Sequence, residues 1–395
     1  MICVKTRHFS LHRILLLTIG LWPCQRSRLA QFQLILCFGI LISFIICQLS
    51  IIVTAEFTLE LAINVLSIGL FFTMLAIMYN SFGFNFAEMV KRPLEELQQI
   101  CNGLKDEKEI AIMKKYGDNL KRHTFIITLF YICSLIILLP IISLPFISRI
   151  FAFDINESQT RILYKCMPKY LVDQENYLYL ILLYVDMSIF IGGTAMVATG
   201  LMLIAYLKHA CGMLRIVSYR IKKAINMQNN VSPKNEIAMY KGIIYAVDIH
   251  RTAMKFSTFL FSYLHLSHFF LIIVGVVCLS LNLYAISEIV LYGGDIDQFL
   301  LHFLIVIIIF IYLFFANYAG QELTDHNNDI FFAVYSVQWY AAPLHIQRLI
   351  LFLLQRGSKA VNLNLGGVSI LSLQFFATLL KASISYFTVM YSTQQ

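Results

Sequence analysis

Apolar residues in this chain gather into runs, and the runs are long. Six of them, at about 34–54, 61–82, 124–146, 178–204, 266–287 and 299–319, can each cross a bilayer, and a seventh at about 366–391 closes the sequence. Roughly 20 predominantly apolar residues suffice for one crossing. The fifth run sits inside a longer apolar stretch, Phe256–Tyr292, so its surplus must be buried against protein beyond the lipid. Between the runs the pattern turns amphipathic. Leu94, Leu97 and Leu104 recur near helical spacing within 83–123, and Met213, Leu214, Val217 and Ile221 form a stripe within 205–265. Both segments read as helices extended out of the membrane, the second divided by a turn at Asn229-Asn230-Val231-Ser232-Pro233. In 330–354, Trp339, Pro343, His345 and Arg348 interrupt the apolar residues, and mid-membrane Arg and His are costly. That segment is expected to be a non-crossing helix. The pattern predicts an all-α fold, one membrane domain over 1–395, with seven transmembrane helices and a layer of extensions within 83–123, 205–265 and 320–365.

Charge gives this arrangement a direction. Lys and Arg number 5 in 1–33, none in 55–60, 8 in 83–123, 4 in 147–177, 9 in 205–265, none in 288–298 and 3 in 320–365. Alternate connections are basic, beginning with the amino terminus. The positive-inside rule therefore predicts a cytoplasmic N-terminus, an extracellular C-terminus and a cytoplasmic anchor layer. This is inverted relative to a G-protein-coupled receptor, whose orientation would put 25 of the 30 cations outside. Asn156-Glu157-Ser158, in the 147–177 connection predicted to lie outside, is an N-glycosylation acceptor that agrees with the assignment.

Composition excludes more than it names. With 59% hydrophobic and 13% charged residues and a mean hydropathy of +0.74, the chain is an integral membrane protein. The net charge of +8 is dispersed among apolar helices, which favours anionic lipid headgroups and gives no nucleic-acid surface. Nine cysteines form no Cys-x-x-Cys pair, and only Cys166 falls clearly in an outside connection. His265 and His268 are a single pair, read as polar packing rather than metal ligation. No catalytic cluster, phosphate loop or internal repeat stands out, so neither an enzyme nor a transporter is indicated, and no cofactor or metal is expected. Ile14–Leu21 follows Lys5, Arg7 and Arg13 as a secretory signal would, but no small-x-small site follows it. A short interfacial helix ending at Pro23, with Trp22 at headgroup level, fits better.

Within the last run, Ala382, Ser385, Val389 and Ser392 fall on one face at steps of three and four. Small and hydroxyl residues around one Val suit a wetted pore with a hydrophobic constriction, and equally suit a small-residue packing face. Lys381 is an intramembrane cation, expected to turn into protein rather than toward a permeating cation. Asp186 is the only acid well inside a span; it could border an ion vestibule, orient a ligand or form a structural hydrogen bond.

From Tyr318 onward the chain resembles the insect odorant receptors. The residues that carry the resemblance are Gly320-Gln321-Glu322-Leu323, Gln338-Trp339-Tyr340 with Pro343, Leu354-Gln355-Arg356, Leu371-Ser372-Leu373 and Ser385-Tyr386-Phe387-Thr388-Val389; Gly20-Leu21-Trp22-Pro23 also fits. The first two thirds match in layout only. Related gustatory receptors carry a Gln five apolar residues after the Thr-Tyr pair, and nothing matches it after Ser385-Tyr386. The family's shared co-receptor has a much larger second cytoplasmic loop, so this chain is similar to a ligand-specific subunit. The resemblance implies an odorant-gated, non-selective cation channel in the plasma membrane of olfactory sensory neurons. Its partners would be the co-receptor, in a tetramer around a pore lined by the last helix, and a small volatile ligand. Val389 matches the family's apolar gate. The family's pocket lies in the outer half of the bilayer among the second, third, fourth and sixth helices. The candidates there are Phe71, Phe72, Met74, Leu75, Ile137, Leu138, Tyr184, Met187, Ser188, Gly192, Ile309 and Tyr312. A gustatory-type channel and a metabotropic seven-span receptor are the remaining alternatives.

Overall fold

The computed structural model describes residues 9–22, 28–54, 58–83, 87–151, 174–226, 233–293, 296–357, 364–365 and 369–393, with single positions at 56 and 85. Asn156, the turn at 229–232, Pro23 and Gly366 lie outside the described residues. Ten α-helices follow in order: α1 Ser10–Thr18, α2 Arg28–Thr54, α3 Leu59–Gly83, α4 Arg92–Gly103, α5 Glu107–Phe151, α6 Gln174–Asn226, α7 Pro233–Tyr292, α8 Ile296–Tyr335, α9 Leu344–Gly357 and α10 Leu373–Ser392. A π-helical turn, Ala87–Lys91, leads into α4. Two short strands, β1 Asn364–Leu365 and β2 Ser369–Ile370, pair antiparallel before α10, and the regular structure among the described residues is otherwise helical.

Among the described residues seven helices, α2, α3, α5, α6, α7, α8 and α10, are long and apolar enough to cross a bilayer. α6, α7 and α8 run unbroken for 53, 60 and 40 residues. At 1.5 Å per residue these are far longer than a hydrocarbon core of about 30 Å. Their surplus forms the layer on the basic side of the spans. The interrupted segment 330–354 divides as its composition suggests: α8 ends at Tyr335, a 3₁₀ turn spans Trp339–Ala341, and α9 is 14 residues long.

α6 and α7 pack against each other as the central pair, with α3 and α8 against both; α2 lies on α3, α5 on α6, and α10 on α7 and α8. The principal core runs from α1 through α2, α3 and α6 into the basic-side layer, where Leu214, Val217, Ile243, Leu260 and Ile346 are fully buried. α1 is docked into this core rather than onto lipid. Phe9, Leu16 and Leu21 are inaccessible, Trp22 is 6% exposed, and the Phe9 ring stacks on His209 at 5.6 Å. The expected short helix is present and ends at Thr18, before the Trp-Pro pair. The Tyr79 hydroxyl donates to the carbonyls of Ile19 (2.8 Å) and Leu34 (3.2 Å), fastening the turn after α1 to α2 and α3. Burial pushes the His12 imidazole of α1 down to about 4, so it is neutral at neutral pH, with Nε2 3.3 Å from the Leu201 carbonyl.

Inside the spans, polar side chains act as glue between helices whose apolar surfaces have no hydrophobic drive to associate. His302 of α8 lies 2.8 Å from Asn282 Oδ1 on α7 and 3.2 Å from Asn64 Oδ1 on α3. Ser280 of α7 donates to the Ser383 carbonyl of α10 at 3.0 Å. The entry into α10 is fixed more tightly still. Ser372 caps the helix by accepting from the Phe375 N–H, and its own N–H donates to Asn317 Oδ1 of α8 at 3.3 Å. Leu371 lies directly over Gly320: a Cβ at 320 would come within 2.3 Å of Leu371 Cβ and 2.8 Å of its carbonyl oxygen. Backbone meets helix there, which only a residue without a side chain permits.

Gly320→Ala is therefore expected to lift the start of α10 off α8 and to cost about 1–3 kcal/mol, the range for overpacking a close contact. Thermal melts of the solubilised protein, with Gly200→Ala as the control because nothing lies within 4 Å of a Cβ there, check this.

Candidate functional site

Two regions hold most of the residues singled out by sequence: the place where α2, α3 and α6 meet, and the free face of α10. In the first, α3 and α6 approach closely because Gly192 carries no side chain. A Cβ there would sit 2.6 Å from Leu75 Cδ1 and 3.5 Å from Leu41 Cδ2. Phe72 is buried, with its ring 4.1 Å from that of Phe44 on α2 and 6.0 Å from Phe71 in an edge contact. The Tyr184 ring stands 6.0 Å from Phe44, and its hydroxyl forms a 2.7 Å hydrogen bond with Ser43 Oγ. Ser188, fully buried one turn further along α6, returns its hydroxyl to the Tyr184 carbonyl at 2.8 Å. The wall is thus aromatic and aliphatic, with a Ser–Tyr hydroxyl pair as its polar feature.

The structure brings Phe71, Phe72, Leu75, Tyr184, Ser188 and Gly192 together on the α2–α3–α6 side. Met74 and Ile309 belong to a second core shared by α3, α7, α8 and α10, and Tyr312 packs against it; Phe71 borders both. Ile137 and Met187 are exposed, at 62% and 48%, and do not join either group, while the Leu138 side chain lies outside the described residues. Sequence reasoning missed Ser43 and Phe44. α2 is apolar on every side, so no stripe marks the face that meets α3 and α6. It also missed Tyr131 of α5, whose hydroxyl bonds to Thr194 Oγ1 at 2.8 Å and lies against Gly193. Asp186 is half-buried, and its Oδ1 has no hydrogen-bond partner among the described residues.

α10 buries Phe376, Leu379 and Ser383 against its neighbours and leaves the opposite face open. On that face lie Gln374, Thr378, Lys381, Ser385, Thr388 and Ser392 together with apolar Ala377, Ile384 (53%) and Val389 (56%), all exposed; Ala382 sits at its border, half-buried. Successive turns of a 3.6-residue helix bring 378, 381, 385, 389 and 392 into one stripe. Within a single chain Lys381 is exposed on this face and does not turn into its own helix bundle. Its neighbours at 379 and 383 fill the buried side, so the ammonium shares the open face with Ser385 and Val389, and it has no carboxylate partner among the described residues. Lys381 is the ninth of the helix's 20 residues, close to its middle.

A third cluster resembles a metal centre at first sight. Cys211, Glu322 and His326 place ligand atoms within 4.8 Å of one another. Lys208 Nζ, however, bonds both Glu322 oxygens at 2.6 Å, and the His326 nitrogens face the Tyr116 hydroxyl (2.6 Å) and the Glu322 carbonyl (2.8 Å). The set is a satisfied hydrogen-bond network linking α5, α6 and α8.

The comparisons with known proteins agree on the family. The sequence profile described as 7tm Odorant receptor matches residues 53–384, and the chain belongs to that family. Its fold is similar to that of the insect olfactory receptor OR5 from Machilis hrabei. In complex with eugenol, that receptor superposes with a TM-score of 0.73 at 14% identity, covering 99% of this chain and 98% of the other. A second structure of that receptor gives 0.71 at 16% identity, with 98% of each chain covered. No curated protein matches the sequence. The chain is thus a multi-pass odorant receptor and not an enzyme.

The Ser43–Tyr184 bond ties α2 to α6. A double-mutant cycle of Ser43→Ala and Tyr184→Phe, read by thermal melts, is expected to give a coupling of about 0.6 kcal/mol, the average for interhelical hydrogen bonds in a membrane.

Proposed function

We propose that this odorant receptor is the ligand-specific subunit of a non-selective cation channel, assembled with the family's co-receptor around a pore to which α10 contributes its open face. The amino terminus is cytoplasmic in this reading, the carboxyl terminus extracellular, and the complex sits in the plasma membrane of olfactory sensory neurons. One observation carries the proposal: a membrane-spanning helix leaves uncovered a face that mixes hydroxyls with Ile384 and Val389 and holds an ammonium near its midpoint. Thr378, Thr388 and Ser392 return their hydroxyls to carbonyls three or four residues back, which a lipid-facing helix can do. Lys381 has no such option. Placing it in hydrocarbon costs about 3 kcal/mol even on the lowest scales. Water on that face removes the penalty, and water along one face of a spanning helix in a symmetric assembly means a pore. Val389, the exposed aliphatic residue between Ser385 and Ser392, forms the constriction, where dewetting closes the path.

The ligand in this reading is a small volatile molecule held by Phe71, Phe72, Leu75, Tyr184, Ser188 and Gly192, with Phe44 and Ser43 completing the wall. Burial of apolar area at about 25 cal/mol per Å² supplies the affinity. The Ser43–Tyr184 pair supplies one adaptable polar contact.

Recordings from cells expressing the chain with the co-receptor test both parts. An odorant panel should evoke inward current only from the pair, and Val389→Ala should raise the ligand-free leak. Lys381→Gln should leave odorant sensitivity unchanged and increase the relative permeability to divalent cations, because it removes a fixed positive charge from the path. A current that needs a G protein, or pore properties indifferent to both substitutions, overturns the channel reading.

A further inference from the structure

Four cations of the basic-side layer are matched by acids, among them Arg92 with Glu88 at 3.0 Å. Lys208 bonds Glu322, Arg220 grips Glu109 with two parallel bonds of 2.6 and 2.8 Å, and Lys223 lies 2.5 Å from Asp106. The bond from Lys223 holds the Asp106 carboxyl below the usual range. The layer's remaining cations are in no ion pair among the described residues, and three of them share one concavity. Lys115 of α5 and Arg215 and Lys222 of α6 converge on one cavity of about 530 Å³, which Asn119, Ser218 and His326 also line. No carboxylate lines it, and none of the three cations is in an ion pair among the described residues. Of the acids nearby, Glu322 is engaged by Lys208, Asp106 by Lys223 and the Tyr219 hydroxyl, and Asp325 by Gln321, while Asp118, one turn from Lys115 on α5, and Asp329 on α8 are exposed and outside the lining. All three are exposed, so solvent screens much of their mutual repulsion, and a multiply charged anion entering the concavity would meet a concentrated positive field.

We infer that this cavity binds a soluble polyphosphate anion, such as an inositol polyphosphate or a nucleoside triphosphate, which clamps α5 to α6. Three cations from two helices match a ligand carrying several negative groups better than a monovalent ion. Depth separates the soluble source from a lipid. Lys115 lies nine residues, roughly 13 Å, before the start of the third apolar run, and Lys222 fourteen residues, roughly 21 Å, beyond Lys208. Headgroups extend only about 5–8 Å past the hydrocarbon. The site therefore opens below the lipid surface, within the layer.

The test uses the full-length receptor, in the assembly in which it purifies, reconstituted in zwitterionic nanodiscs. Calorimetry and thermal melts are run with inositol hexakisphosphate, ATP and unphosphorylated inositol, and in nanodiscs carrying phosphatidylinositol bisphosphate. The expected result is saturable binding and a raised melting temperature with a soluble polyphosphate, weakened by salt, and no effect of inositol. Affinity should fall about tenfold or more in Lys115→Gln/Arg215→Gln/Lys222→Gln. The single Arg215→Gln should fall by less, with an unaltered ligand-free melt that certifies its fold. Absence of binding, equal binding by the triple variant, or an effect confined to the lipid overturns the proposal; the last would place the anion at the bilayer. None of these outcomes bears on odorant gating, which is read separately from the evoked current.

Discussion

A helix that crosses hydrocarbon cannot leave an ammonium group facing lipid at its midpoint, and this constraint organises the account of α10. The buried side of that helix is filled by Phe376, Leu379 and Ser383 and tied to α7 through the Ser383 carbonyl. Rotation that would bring Lys381 into the protein would expose Phe376 and Leu379 and break the contact with Ser280. The ammonium is therefore held on the open face by what its neighbours bury. Water or another subunit must cover that face, and the first of these makes it a conduit.

The rest of the structure can be read as the support for that helix. Gly320 allows Leu371 to lie on α8, Asn317 accepts from the Ser372 backbone, and Ser372 caps the first turn. These contacts set where α10 starts, on the side where α6, α7 and α8 extend beyond the spans. The extensions have a dry interior around Leu214, Val217 and Ile243 and ion pairs toward its edge, including the two-bond Arg220–Glu109 contact. A stiff layer of this kind gives the last helix a fixed base, while its far half, beyond Ser383, makes fewer buried contacts.

Much of the fold was legible because the membrane simplifies the code. Length and apolarity alone marked the spans, and interruptions such as Pro343 and Arg348 marked the segment that becomes α9. The amphipathic stripe Met213–Ile221 marked the extension of α6, whose residues at 213, 214, 217 and 221 are fully buried. The site was less legible for the same reason. α2 and α3 are apolar all round, so periodicity could not say which of their residues meet α6, and Ser43 and Phe44 carried no signal. Several named residues, Met74 and Ile309 among them, are core, since Phe, Met and Ile serve packing and binding alike. The direction of Lys381 depends on what Leu379 and Ser383 touch, a tertiary fact that periodicity does not carry. Gly320 appeared as part of a resemblance, and only the 2.3 Å approach of Leu371 explains why the position tolerates nothing larger.

The central claim is that one face of α10 is wet. Single cysteines placed along 374–392 in the chain co-expressed with the co-receptor, and probed with a charged thiol reagent during odorant-evoked current, test it directly. The account predicts modification at 378, 381, 385, 389 and 392 and protection at 376, 379 and 383. Uniform protection, or reactivity without that helical period, would contradict it.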